Sequence, residues 1–237
     1  VVVRGVTFYG GNQGDTILAN ANNTIVYCGN GSNKITITQG LCYGGAGNNE
    51  VSMNKYTRYY GGSGVNNITV SGRYNAQALS LAKGETKNLT INGINYTVKN
   101  ISSNYSNAVL FSVNPVTGVV SFSGHNLTIN GQSDVSHNVE LYGLKFKFYG
   151  GEKDDIITMY AVKSTIYGEG GNDKLLINNV STAYGGAGDD EIILNSVGTA
   201  YGDDGDDTIT INASTNSAIN GGLGNDTYNI NAKVTSL

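Results

Sequence analysis

Large apolar residues stand alone between polar neighbours along most of this chain, and they return at a nearly fixed interval. Ile17, Ile35, Val51 and Ile68 form one series, taken up later by Ile157, Leu175, Ile192, Ile209 and Tyr228. Phe8, Val26, Cys42, Tyr59, Phe148, Ile166, Ala183 and Ala200 form a second, each directly before a tyrosine. Within each run the alternation has period two, as in Ile35-Thr-Ile37 and Ile209-Thr-Ile211, which predicts short strands with one face inward. No stretch carries an apolar stripe at helical spacing. A period of 16 to 19 residues is too short for a domain and too long for a hairpin. It predicts an all-β protein, a parallel β-solenoid (β-roll) in which no coil covers its own apolar face and each is closed by its neighbours. Each coil then holds two strands whose apolar columns face one another across a thin core, rising about 4.8 Å per coil. The tyrosines after the second column, Tyr9, Tyr27, Tyr43 and Tyr60, then Tyr149, Tyr167, Tyr184 and Tyr201, fall on the outward face.

What separates the strands is a glycine-rich hexad. The clearest copies are Gly185-Gly-Ala-Gly-Asp-Asp190 and Gly202-Asp-Asp-Gly-Asp-Asp207, flanked by Gly150 to Asp155, Gly168 to Asp173 and Gly221 to Asp226. Counting Gly185 as position 1, Asp190 is position 6 and the inward Ile192 is position 8. In the first block position 6 is Asp15 and then Asn33, Asn49 and Asn66. The period is lost over about residues 72–138. There Asn92-Gly93 accepts the positive φ of a tight hairpin turn, Asn114 to Gly118 suits a longer one, and Leu127-Thr-Ile129 and Val139-Glu-Leu141 add strands. The expected organisation is a solenoid block over 1–71, a β insert or linking domain over 72–138, and a second block over 139–237.

The net charge of −4 conceals a division: residues 149–237 carry −9 and residues 1–148 carry +5. An acidic segment of this kind repels nucleic acid and suits a cation, and the positive balance of residues 1–148 is spread out without a basic cluster, which argues against nucleic-acid binding. No run approaches the length of a membrane span. With neither an initiator methionine nor a basic-then-apolar leader, the sequence reads as a processed chain or a piece of something larger.

Registry gives the acids their chemistry. Stacked coils bring position-6 carboxylates about 5 Å apart, where two unit charges repel by roughly 1 kcal/mol in water and by several at a protein-like dielectric. A hard cation taking oxygen ligands relieves that repulsion, and the flexible coordination of Ca²⁺ suits such a site better than the strict octahedron of Mg²⁺. The nine-residue unit Gly-Gly-x-Gly-x-Asp-x-U-x, with U a large apolar residue, resembles the repeats-in-toxin (RTX) calcium-binding repeat of secreted bacterial proteins over residues 149–230. The resemblance implies calcium held between stacked turns by Asp155, Asp173, Asp190, Asp207 and Asp226 together with loop carbonyls, here those of Gly151, Gly168, Gly171, Gly186, Gly188, Asp203, Gly205, Gly222 and Gly224. Two departures matter. Each hexad is followed by a return without the motif, such as Asn178 to Ala183, so calcium is expected along one edge only. The asparagines of the first block are neutral and can bond up the stack as an amide ladder, so that block is expected to need little or no calcium.

Other candidates weigh less. The outward tyrosines are either a strip for glycan or protein, or a shield over the ladder edge. Cys28 and Cys42 lie one coil apart at about 8 Å, slightly beyond easy disulfide reach; two semi-buried thiols are the first expectation and a disulfide the alternative. No nucleophile, acid–base pair or phosphate loop stands out, so the chain is not read as an enzyme; Arg58 and Arg73 are the only bases available to a β-helix polysaccharide lyase. The expected role is a calcium-stabilised structural or self-assembling segment of an exported bacterial surface protein, extracellular, in a surface layer, adhesin stalk or fibre. Copies could pair end to end through exposed strand edges. The alternative is a non-catalytic calcium-binding module of a secreted protease or epimerase.

Overall fold

The computed structural model describes residues 5–53, 57–61, 66–70, 77–102, 107–114, 116–213 and 216–231. Among them are 23 strands and no helix, and hence no helix long and apolar enough to cross a membrane. The chain falls into two compact units, Val1–Val120 and Ser121–Leu237. Each is a parallel β-solenoid, as the period predicts.

In the first unit the strand Thr16–Ala19 lies parallel to Lys34–Ile37, then Asn49–Met53, then Asn66–Val70. The return strands stack likewise, Thr7–Tyr9 on Thr24–Tyr27, Gly40–Tyr43 and Thr57–Tyr60. Both predicted columns are interior: Ile35, Ile68, Val26, Cys42 and Tyr59 are wholly buried. The exceptions are at the end coils, where Phe8 is 39% exposed in this unit and Tyr228 is 45% exposed in the other.

Coils continue beyond the point where the motif stops. Gln77–Leu81 runs parallel to Thr57–Tyr60, and Thr86–Ile91 runs parallel to Asn66–Val70 in the register Ile68↔Leu89. Within the 72–138 segment, residues 77–91 are thus one more coil of the first stack, closed by the inward Leu79 and Leu89 without a glycine hexad. The hairpin at Asn92-Gly93 is present: Thr86–Ile91 pairs antiparallel with Ile94–Asn100, and both turn residues have positive φ, 51° and 84°. The loop after Asn114 is closed by Asn114 N–H donating to the Val119 carbonyl at 2.8 Å.

In the second unit, parts of the long strand Asn138–Gly151 begin two stacks, one through Ile156–Met159, Lys174–Ile177, Glu191–Leu194, Thr208–Ile211 and Thr227–Ile230, the other through Thr165–Gly170, Ser181–Ala187, Gly198–Asp204 and Ala218–Leu223. Residues 121–137 add a coil before them, since Gly131 N–H donates to Tyr149 O and Glu152 N–H to Ser133 O, both at 2.8 Å. Ile157, Leu175, Ile192 and Ile209 face Phe148, Ile166, Ala183 and Ala200 in a fully buried core. The small alanines are opposed by branched side chains, which keeps two strands of each coil close enough to exclude water.

Candidate metal centre

Position 6 of every coil points inward. In the second unit Asp155, Asp173, Asp190 and Asp207 are 1–2% exposed, and only Asp226 on the last coil is half-buried. One oxygen of each carboxylate is fully accounted for. Oδ1 of Asp173 accepts the backbone N–H of Asp155 at 2.8 Å, Oδ1 of Asp190 that of Asp173 at 2.7 Å, Oδ1 of Asp207 that of Asp190 at 2.8 Å and Oδ1 of Asp226 that of Asp207 at 3.1 Å. The file begins with His137, whose N–H donates to Asp155 Oδ1 at 2.6 Å. Each carboxylate therefore ties its coil to the one before it.

The other oxygen is not. Oδ2 of Asp155, Asp173, Asp190 and Asp207 is shut off from solvent and receives no hydrogen bond from the protein. It presses against the position-1 glycine. A Cβ added at Gly168 would stand 1.9 Å from Asp173 Oδ2 and 2.4 Å from the carbonyl oxygen of Gly185 on the next coil. At Gly185 the corresponding distances are 2.0 Å to Asp190 Oδ2 and 2.6 Å to Gly202 O. Two acceptors meet in a space that a methyl group would fill, with no donor between them.

The first unit supplies the comparison. There the same file is Asp15, Asn33, Asn49 and Asn66, and the Oδ1 bonds recur: Asp15 N–H donates to Asn33 Oδ1 at 2.9 Å and Asn33 N–H to Asn49 Oδ1 at 3.1 Å. The second atom is now an amide nitrogen. Asn33 Nδ2 donates to the position-4 carbonyl of Gly31 at 2.6 Å and to Asn49 Oδ1 at 2.9 Å; Asn49 Nδ2 donates to Gly47 O at 2.9 Å and to Asn66 Oδ1 at 2.8 Å. The asparagine file thus closes its own hydrogen bonds, as the amide-ladder expectation holds. Its next member is Lys87, placed level with Asn66 by the Asn67↔Asn88 register. Lys87 is wholly buried, donates to Ser80 O at 2.5 Å and pairs with Glu85 at 3.1 Å. Where this file ends, the chain supplies a cation of its own.

Electrostatics follow the missing donors. Burial first, then neighbouring acids, raises the Asp155, Asp173 and Asp190 carboxyls from 3.8 to about 7, against the lowering effect of the N–H bond each accepts. Asp207 is raised for the same reason. Unionised acid or a bound cation satisfies Oδ2; a bare carboxylate does not.

The loops also turn their carbonyls along the stack. Position 4 has positive φ at Gly171, Gly188, Gly205 and Gly224, and a Cβ at Gly188 would lie 2.2 Å from Gly171 O. Position 2 is likewise left-handed at Gly186 and Gly222, and also at Asp203 (79°) and Glu169 (80°), where a side chain bears the strain. Gly151 and Gly168, the other two predicted loop positions, have ordinary φ. Among the described residues no three acidic, histidine or cysteine side chains converge on one point. A metal here must therefore draw on carbonyl oxygens, and the oxygen-only donor set with its donorless Oδ2 row fits a hard cation.

Three further files escaped the sequence reading. Position 5 forms an outer ladder, with Asn172, Asp189, Asp206 and Asn225 N–H groups donating to Asp154, Asn172, Asp189 and Asp206 Oδ1 at 2.7–3.0 Å. At the opposite corner Asn195, Asn212 and Asn231 donate in turn to Asn178, Asn195 and Asn212. Ser164 and Ser181 hydroxyls accept N–H groups from Phe146 and Ser164. All recur at the coil interval, the signal by which they could have been found.

The tyrosines are outward and stacked, Tyr9 to Tyr60 at 4.9–5.0 Å between ring centroids and Tyr149 to Tyr201 at 4.6–5.0 Å, within 13° of parallel. Ring faces are thus covered by neighbouring rings, which leaves edges and hydroxyls outward and favours the shielding role over a platform for sugar rings. Arg58 is exposed; Arg73 lies outside the described residues. No protein-family model matches the chain, and no curated protein matches it.

Proposed function

We propose that this chain is a calcium-stabilised structural segment of an exported bacterial surface protein, of the surface-layer, adhesin-stalk or extracellular-fibre kind. The observation that carries the reading is the row of four buried carboxylate oxygens without a donor, standing where the companion file of asparagines places amide nitrogens. The resemblance of residues 149–230 to the RTX repeat supports it independently. Asp155, Asp173, Asp190, Asp207 and Asp226 would hold the ion with carbonyls of the glycine loops, and calcium would supply the positive charge these acceptors lack.

The chain's own residues divide the work. The Oδ1 bonds fix the register of each coil, and the left-handed glycines aim carbonyls along the stack. The buried apolar columns hold the carboxylates away from water, so that their charge has to be answered locally. In the first unit Asn33, Asn49, Asn66 and Lys87 answer it without an ion. Calcium is scarce inside cells and millimolar outside, which would couple folding of the acidic block to export. Stacked ladders with self-repeating edges suit a stalk, layer or fibre.

The test is calorimetric melting of the whole chain in chelator and in calcium. The expected result is that calcium raises the unfolding of one part of the heat-absorption profile and leaves the other part unmoved. An unchanged profile, or equal stabilisation by magnesium, would overturn the reading.

A further inference from the structure

Cys28 and Cys42 are both wholly buried, and their sulfurs touch at 3.4 Å. The sequence spacing put their positions about 8 Å apart, and the structure shows why the sulfurs nonetheless meet. Cys42 pairs with Val26 across the ladder, one inward place short of Cys28. Cys28 follows the end of the strand Thr24–Tyr27 and is itself followed by Gly29 at φ 77°, so the chain is already bending where Cys28 turns inward. Its N–H remains tied to Tyr43 O at 2.8 Å. On the next coil the buried Tyr59 ring lies in register with Cys42, with its hydroxyl held by Asn66 Oδ1 at 2.7 Å. The pair is free thiol in this structure. A disulfide needs the sulfurs roughly 1.4 Å closer, a distance that side-chain rotation at two neighbouring inward positions can supply.

We propose that Cys28 and Cys42 form a disulfide site whose redox state is set while the chain folds and is sealed when the coils close. The co-reactant is a low-molecular-weight disulfide. The thiolate of one cysteine attacks it, releasing one small thiol and leaving a mixed disulfide; the second cysteine then attacks the protein sulfur of that bond, releasing the second small thiol. Two protein thiols are oxidised, one external disulfide is reduced to two thiols, and each cysteine proton goes to a departing sulfur. In the unfolded chain both thiols are accessible and separated by a short segment, so the second attack is intramolecular and fast. In the folded chain no small disulfide reaches either sulfur, and the hydrogen bond with Cys28, then burial, raises the Cys42 thiol, which removes the attacking thiolate. Sealing therefore rests on geometry first and on acidity second.

The experiment refolds the whole chain from denaturant in two ways, with oxidised glutathione and with reductant. The reduced, folded sample is then exposed to the same oxidised glutathione. Both are unfolded in denaturant near neutral pH in the presence of excess maleimide and weighed by intact mass spectrometry. The expected result is a chain lighter by two hydrogens, with no maleimide, from oxidative refolding, and a chain carrying two maleimides from oxidation after folding. Cys42→Ala refolded oxidatively should carry one glutathione, which establishes that Cys28 is reached before closure; one maleimide and no glutathione would overturn that step. Two free thiols or two glutathiones after oxidative refolding of the wild type would overturn the site. Equal disulfide formation in both orders would overturn the sealing.

Discussion

Converting Asp173 and Asp190 to asparagine together tests the central argument, because it rebuilds in the second unit the file that the first unit already has. Each wild-type carboxyl is raised from 3.8 to about 7 by burial. At 1.36 kcal/mol per pKa unit that is about 4 kcal/mol per ionised group, or about 2 kcal/mol after discounting for water reaching the turn. Asp173→Asn/Asp190→Asn removes both charges and places amide nitrogens where the Oδ2 atoms stand, near the Gly185 and Gly202 carbonyls. Without metal at mildly alkaline pH the variant should therefore be more stable than the wild type by roughly 2–3 kcal/mol, less than the simple sum of about 4 because the two sites share neighbours. In calcium the order should reverse or vanish, since two charged ligands are gone. Denaturant unfolding followed by circular dichroism, with chelator and with calcium, reads both differences. A metal-free variant no more stable than the wild type would refute the claim that Oδ2 is an unanswered charge. A variant that keeps the whole calcium increment would refute the claim that these carboxylates hold the ion.

Acidity should replace the metal. Because the folded-state values of Asp155, Asp173 and Asp190 lie above those of the unfolded chain, the folded state holds their protons more tightly. The stability they allow is complete below the ordinary carboxylate range and drains as pH rises through about 7. A chelated sample should thus melt progressively lower from acid to alkaline pH, and calcium should flatten that slope in a pH series of thermal melts. Lys87→Met should destabilise the first unit by about 1–3 kcal/mol, since it leaves the half-buried Glu85 carboxylate without its cation, and calcium should not restore it. Adding Glu85→Gln should recover part of the loss in the same denaturant titration.

Much of this architecture was open to reading because a solenoid repeats its physics. Ile17 to Ile209 and Val26 to Ala200 announced the inward columns, and Asn92-Gly93 announced its hairpin through backbone geometry alone. The coils at 77–91 and 121–137 were hidden, since Lys87 and His137 occupy the sixth position and no glycine hexad precedes them. Leu79, Leu89, Leu127 and Val139 show that stacking requires only an inward apolar pair on each strand. The hexad is thus a signature of the aspartate or asparagine turn and not of the coil. Tyr228 was expected inward from its register, but its only described ladder partner is Ile209, and its hydroxyl accepts Gly221 N–H at 2.9 Å. The position-6 acids were legible as a file; that one oxygen of each would be consumed by backbone and the other stranded was not, because that division depends on side-chain direction.

Where one interior file carries asparagine and the other aspartate, the two differ at a single atom per turn, nitrogen in one and oxygen in the other. In the genetic code aspartate and asparagine are separated by one base, so each turn can be moved from one chemistry to its counterpart by a point mutation that leaves strand, loop and core in place. Under the proposed calcium reading, the stack's need for metal would be set rung by rung, on one unchanging scaffold.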